Sequence, residues 1–189
     1  MRNMLAGLAI AGIALVTAMS DGAHAAAVFT LTSPAFQDGG ELQVKNAGDR
    51  KDSPNCVGQN VSPPFAWSNA PDGTKSFVLL MSDPEARPPQ GISHMVIYGI
   101  PASVSGFAEG ELSQPSDKFV GGKSTMNMAV YAGPCPPPNV NWHHFTFTLI
   151  ATDLDPKALP PGLTREELVP ALKDHVKGSA GLIGRFKHP

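Results

Sequence analysis

Punctuation constrains this fold before anything else does. Short apolar, β-branched and aromatic runs recur along the chain, and Pro, Gly, Asn or Asp cuts each one off early. The clearest lie at residues 28–33 (VFTLTS), 41–46 (ELQVKN), 65–69 (FAWSN), 75–83 (KSFVLLMSD), 94–100 (HMVIYGI) and 144–153 (HFTFTLIATD). The 19 prolines and 19 glycines in 189 residues fit many turns and argue against a helical bundle. Several runs are apolar at consecutive positions, as in a strand covered on both faces. The pattern predicts a single mainly β domain arranged as a sandwich.

Helical signal is confined to the C-terminal part. Thr164 and Glu167 have capping-box spacing, and Leu163 and Leu168 are placed to form a hydrophobic staple. Pro170 removes a helix hydrogen bond soon afterwards, which predicts a kinked or very short helix. Small peripheral helices are therefore expected here, with the tail GSAGLIGRF (178–186) packed back on the sheet.

The N-terminus sets the compartment. Residues 1–25 combine Arg2, an apolar stretch over 5–19 and the small-x-small site Ala23-His24-Ala25. That predicts a secretory signal peptide, too short and wrongly flanked for a stable membrane span. Residues 26–189 remain as one domain, long enough for a sizeable core, in a periplasmic or secreted protein. Only Cys56 and Cys135 are present, and an even pair in an oxidising compartment predicts a disulfide. Closing a loop of 79 residues would restrain the unfolded chain by roughly 4 kcal/mol. The formal net charge is −2 with no basic stripe, which argues against a nucleic-acid partner.

Polar groups stand at the ends of three apolar strands. By alternation, Asp83 shares a face with Phe77, Leu79 and Met81, and His94 with Val96, Tyr98 and Ile100. His143 goes with Phe145, Phe147 and Leu149, whereas His144 goes with Thr146, Thr148 and Ile150. Singly, each reads as a rim residue, and Asp83 before Pro84 is a turn initiator in its own right. Repeated beside Gly/Pro loops, the pattern predicts a partly desolvated pocket.

Three chemistries suit a carboxylate and two imidazoles. Iron or zinc is one, although no H-x-x-x-H pair supports it. Hydrolysis with Cys135 as nucleophile and His143 as base is another, but a disulfide would consume that thiol. The third is a small anion, taken by imidazoles and turn N–H groups. Asp83 would repel a dianion, yet it can orient an imidazole or accept from a phosphate that keeps one proton, second pKa about 6. If a protonated imidazole helps, affinity should weaken as pH rises past its range.

The stretches GQNVSPPFAW (58–67), SDPEARPPQGISHMVIYGIPA (82–102) and YAGPCPPPNVNWHHF (131–145) resemble the signatures of phosphatidylethanolamine-binding proteins. The bacterial, exported, Raf-kinase-inhibitor-like branch is the nearest in pattern, and the resemblance spans about residues 28 to 187. It implies a two-sheet β-sandwich with a pocket for phosphate, acetate or a phosphorylated head group. The residues implied are Asp83, His94 and His143, with Cys135 supplying a loop N–H and His144 facing away. It also implies a non-catalytic binding or inhibitory protein that needs no cofactor. The alternative is inhibition of an extracytoplasmic hydrolase or another protein partner, through stiff loops such as Arg87-Pro88-Pro89 and Pro136-Pro137-Pro138. Export argues against a kinase target. The chain departs from the family pattern at Glu85, Arg87, Ile92, Met95 and Phe145, where Phe145 replaces a tyrosine.

Overall fold

The computed structural model describes residues 27–189, so the predicted signal peptide lies outside the described residues. Among the described residues nine strands are present: β1 (Thr30–Thr32), β2 (Gly40–Glu41), β3 (Phe65–Ser68), β4 (Ser76–Asp83), β5 (Ile92–Pro101), β6 (Gly106–Phe107), β7 (Val120–Gly121), β8 (His143–Thr152) and β9 (Val176–Phe186). They form a three-stranded sheet, β1-β3-β6, and a six-stranded sheet, β2-β9-β8-β4-β5-β7. The parallel β2–β9 pair is the exception in otherwise antiparallel sheets.

The large sheet is apolar on both faces because each face has a cover. Phe77, Leu79 and Met81 of β4, with Phe145, Phe147 and Leu149 of β8, pack towards Leu31, Phe65 and Trp67 of the small sheet. Phe65 and Phe147 meet with ring centres 4.8 Å apart, and Trp67 meets Phe77 at 5.4 Å. On the other face Val78, Leu80, Val96 and Tyr98 cluster with Leu168 and Leu172. Each fully buried side chain of this size contributes about 1.5–3 kcal/mol.

Leu168 belongs to α1 (Arg165–Ala171), the only α-helix among the described residues, where more than one small helix was expected. Its capping box forms as predicted. The Thr164 N–H donates to Glu167 Oε2 at 2.9 Å, and the Glu167 N–H donates to Thr164 Oγ1 at 3.3 Å. Pro170 lies inside the helix, which ends one residue later.

Two segments differ from the sequence reading. Only Glu41 of the run 41–46 is in a strand, because the Gln43 N–H donates to Asn46 Oδ1 at 2.9 Å and winds Val44–Asn46 into a 3₁₀ turn. The tail, expected merely to pack on the sheet, is a full strand between β2 and β8. Its glycines permit close neighbours: a Cβ on Gly184 would come within 2.7 Å of Leu42 Cδ2.

The register of β5 matters most for the site. Met81 pairs with Met95 but Ser82 pairs with Ser93, so His94 is an extra residue, a β-bulge. A second slip separates Leu79–Ile97 from Phe77–Ile100, beside Gly99 at φ 61°. There a Cβ would meet the Pro156 carbonyl at 2.2 Å, so glycine is required. These slips overturn the simple alternation for His94. Val96 and Tyr98 turn towards α1, whereas His94 turns to the opposite face beside Phe145.

Candidate ligand pocket

Asp83 closes β4 and starts a turn with its own side chain. Its Oδ1 accepts from the Glu85 and Ala86 N–H groups at 3.0 and 3.1 Å. Its Oδ2 accepts from His143 Nδ1 at 2.7 Å, which orients that imidazole at the start of β8. The bulge in β5 brings His94 Nε2 to 4.0 Å from the same oxygen. On its other side His94 Nδ1 donates to the Ala132 carbonyl at 2.7 Å. Phe145 packs under both rings, edge-on to His94 at 5.2 Å and stacked on His143 at 6.4 Å.

A loop at residues 132–137 completes the site, and Asn60 holds it. Asn60 Oδ1 accepts from the Gly133 N–H at 2.7 Å, while Nδ2 donates to the Tyr131 carbonyl at 3.0 Å. The Tyr131 hydroxyl donates to the Asn46 carbonyl at 2.8 Å, and burial pushes its pKa far above the usual phenol range. The Gly48 N–H donates to the Pro134 carbonyl at 2.9 Å. Cys56 and Cys135 form the predicted disulfide, with Cα atoms 4.6 Å apart, joining the loop that carries Gly48 to the one that carries Gly133. No neighbour among the described residues engages the Cys135 N–H.

The result is one cavity of about 560 Å³. Asp83, His94, Cys135 and His143 all line it, so the four residues singled out from sequence are brought together. Arg87, at φ 53°, also lines it and makes no ion pair among the described residues. Asn60, Arg50, Met126 and Met128 line it too, and sequence reasoning did not single them out. Asn60 left a faint trace, since Asn is among the few residues that tolerate its φ of 55°. His144 stays outside, as its alternation predicted. Its ring pairs with Glu85 Oε1 at 2.7 Å and its N–H donates to Oε2 at 3.1 Å. Burial raises the Glu85 carboxyl, but these bonds outweigh it and hold the group below the ordinary carboxylate range.

His94 is only 5% exposed. Burial drives its pKa below the ordinary imidazole value; the Ala132 carbonyl and Asp83 oppose the shift, and His143 adds to it. The fold thus favours the neutral form of the His94 ring. The consequence for stability has a definite sign. Unfolded histidine takes up a proton near pH 6.5, whereas folded His94 resists it, so stability is lost as pH falls below about 6.5. Urea unfolding at neutral and mildly acidic pH should show a shallower acid loss for His94→Gln than for the native chain. Identical slopes would contradict this assignment.

Among the described residues no group of three His, Cys, Asp or Glu side chains is arranged to hold a metal ion, and no free thiol remains. What the fold and site define is a two-sheet β-sandwich with a pocket built where strands end and a cross-linked loop folds over them.

A family model for phosphatidylethanolamine-binding protein matches residues 32–187. The protein belongs to the phosphatidylethanolamine-binding protein family. A UPF0098 protein from Methanothermobacter thermautotrophicus is 33% identical over 83% of this chain and 97% of its own. A candidate lipoprotein, LppC, of Mycobacterium tuberculosis is 33% identical over 87% of this chain and 75% of its own. Among solved structures, YbcL of E. coli, described as a new member of the mammalian PEBP family, aligns with a TM-score of 0.76. It is 25% identical, with 85% of this chain and 99% of that one covered.

Proposed function

We propose that this protein is an exported, non-catalytic binding protein whose pocket takes a small anion, phosphate or a phosphorylated head group. The observation that carries the reading is that His143, Arg87 and Cys135, whose N–H no neighbour among the described residues engages, line one cavity. Asp83 is spent on two backbone N–H groups and the His143 ring, so it orients the site and its charge is partly met by donors. The disulfide supports export, and so does the candidate-lipoprotein relative.

Calorimetric titration with phosphate, acetate and phosphoethanolamine tests the proposal. His143→Ala should weaken phosphate by about tenfold or more, the loss of a charge-assisted bond. Native affinity retained in both His143→Ala and His94→Ala would move the site elsewhere. The inhibitor alternative would use the stiff loops rather than the pocket, through Pro88, Pro89, Pro137 and Pro138, which are exposed, whereas Pro136 is buried. A stoichiometric hydrolase recovered with the protein from periplasmic extract would favour it.

A further inference from the structure

Strand β9 pairs with β8 along its whole length, but with β2 only near its C-terminal end. On that second side the odd-numbered residues turn their backbone outward. The Ile183 N–H donates to Asp38 Oδ1, the Ile183 carbonyl accepts from the Gly39 N–H, and the Arg185 carbonyl accepts from the Leu42 N–H, each at 2.8 Å. Outward-turned groups recur at every second residue of a strand, so Ser179 and Gly181 present theirs on the same side. No group among the described residues meets them there, and both residues are exposed. β1 of the small sheet lies against β9, yet it pairs only with β3 and leaves this edge open.

The open stretch runs from Val176 to Leu182. At one end the chain turns, with the His175 N–H donating to the Leu172 carbonyl at 3.0 Å; at the other, Asp38 and Gly39 occupy Ile183. The other edge strands, β1, β2, β6 and β7, are protected by being only two or three residues long. The stretch in β9 has no proline, and its one charge, Lys177, is already met by Asp153 Oδ2 at 2.8 Å. Residues 178–181 are Gly, Ser, Ala and Gly, which let a second backbone approach to the usual strand spacing of about 4.8 Å. Two exposed valines flank it: Val176, at 51% exposure, and Val28, at 75%, beside the Phe29 ring that lies next to Gly178.

We infer that this edge pairs with the same edge of a second copy, antiparallel, about a two-fold axis through Ser179. Ser179 is the midpoint of the open stretch, so this register uses all of it. A slip towards the C-terminus would drive the incoming strand into Asp38 and Gly39. Each Ser179 N–H then donates to the carbonyl of the partner's Ser179. Each Gly181 faces the partner's Lys177, so the two lysines meet glycines and not each other. That self-complementarity is what a closed pair needs, and it favours a second copy over an unrelated strand. The axis lies roughly 20–25 Å along β9 from Phe186, which pairs with His143 at the pocket. Both pockets therefore stay open, at opposite ends of one continuous sheet.

Sedimentation equilibrium on the purified protein tests the pairing. The mass should rise from one chain towards two between about 10 µM and about 1 mM, as fits a small interface. Amide hydrogen exchange should slow at Ser179 and Gly181 in step with the mass. Ser179→Lys and Ser179→Glu each set like charges across the axis and should weaken association at least about tenfold. Mixing those two variants should restore it as a heterodimer, and circular dichroism should show both folded as the native chain. Ser179→Pro, tolerated at an edge because the lost N–H faces outward, should abolish association. A chain that remains single at about 1 mM overturns the inference. So does a dimer that the two charge variants leave intact, or that their mixture fails to restore. Slowed Ser179 and Gly181 amides in single chains, seen only after addition of periplasmic extract, would give the edge to another protein's strand and overturn self-pairing.

Discussion

Replacing Cys56 and Cys135 together by serine should lower the stability of the oxidised protein by about 2–5 kcal/mol. For a domain of this size that is a fall in Tm on the order of 5–20 °C. The physical reason is twofold. The bridge closes a span of 79 residues, so its removal restores a large set of unfolded conformations. It also joins two loops whose other ties are few: the Gly48 N–H to the Pro134 carbonyl, the Tyr131 hydroxyl to the Asn46 carbonyl, and Asn60 to Gly133 and Tyr131. Thermal unfolding of the double variant, and of the native chain with reductant, should give the same lowered Tm. Alkylation of the native protein without reductant should leave both thiols unlabelled in the mass spectrum. A double variant as stable as the native chain, or two freely labelled cysteines, would contradict the bridge.

Asp83→Ala is expected to damage both stability and binding. The carboxylate is 3% exposed and serves three donors, the Glu85 and Ala86 N–H groups and His143 Nδ1. Stranding them should cost about 3 kcal/mol. With the turn loosened and His143 unheld, phosphate affinity should fall at least about tenfold. Asp83→Asn separates the two effects. Its amide oxygen can still accept from both N–H groups, but its NH₂ then faces His143 and forces the ring proton to Nε2. Chemical unfolding should therefore show that Asp83→Asn keeps much of the stability that Asp83→Ala loses, while its His143 tautomer differs from native by ring ¹⁵N shifts. An alanine variant with native stability would mean that Asp83 organises nothing.

Much of this was legible in the sequence, and the failures have particular causes. Strands β3, β4, β5 and β8 were visible because their apolar residues are large and dense. Strand β9 was not, because Gly178, Gly181 and Gly184 interrupt its side-chain pattern, two of them, Gly178 and Gly184, where neighbours press close. The run 41–46 looked extended from Leu42 and Val44, yet the Asn46 side chain captures the Gln43 N–H and turns the chain. Asp83 and His143 followed from alternation. His94 reached the same cavity for a reason alternation misses: a single extra residue in β5 reverses its side chain. Asn60 went unnoticed because its work is to hold a loop 73 residues away, which no local pattern encodes. The position of Arg87 could not be read either, since its left-handed backbone conformation is rare for arginine.

The most direct test of the pocket is a histidine-ring ¹H–¹⁵N spectrum recorded while phosphate is titrated into the folded protein. His94 and His143 should shift together along one saturating curve, while His175, paired with Asp153, and His188, beside the C-terminal Pro189, stay fixed. Saturable binding that leaves the His94 and His143 rings unmoved would contradict the account.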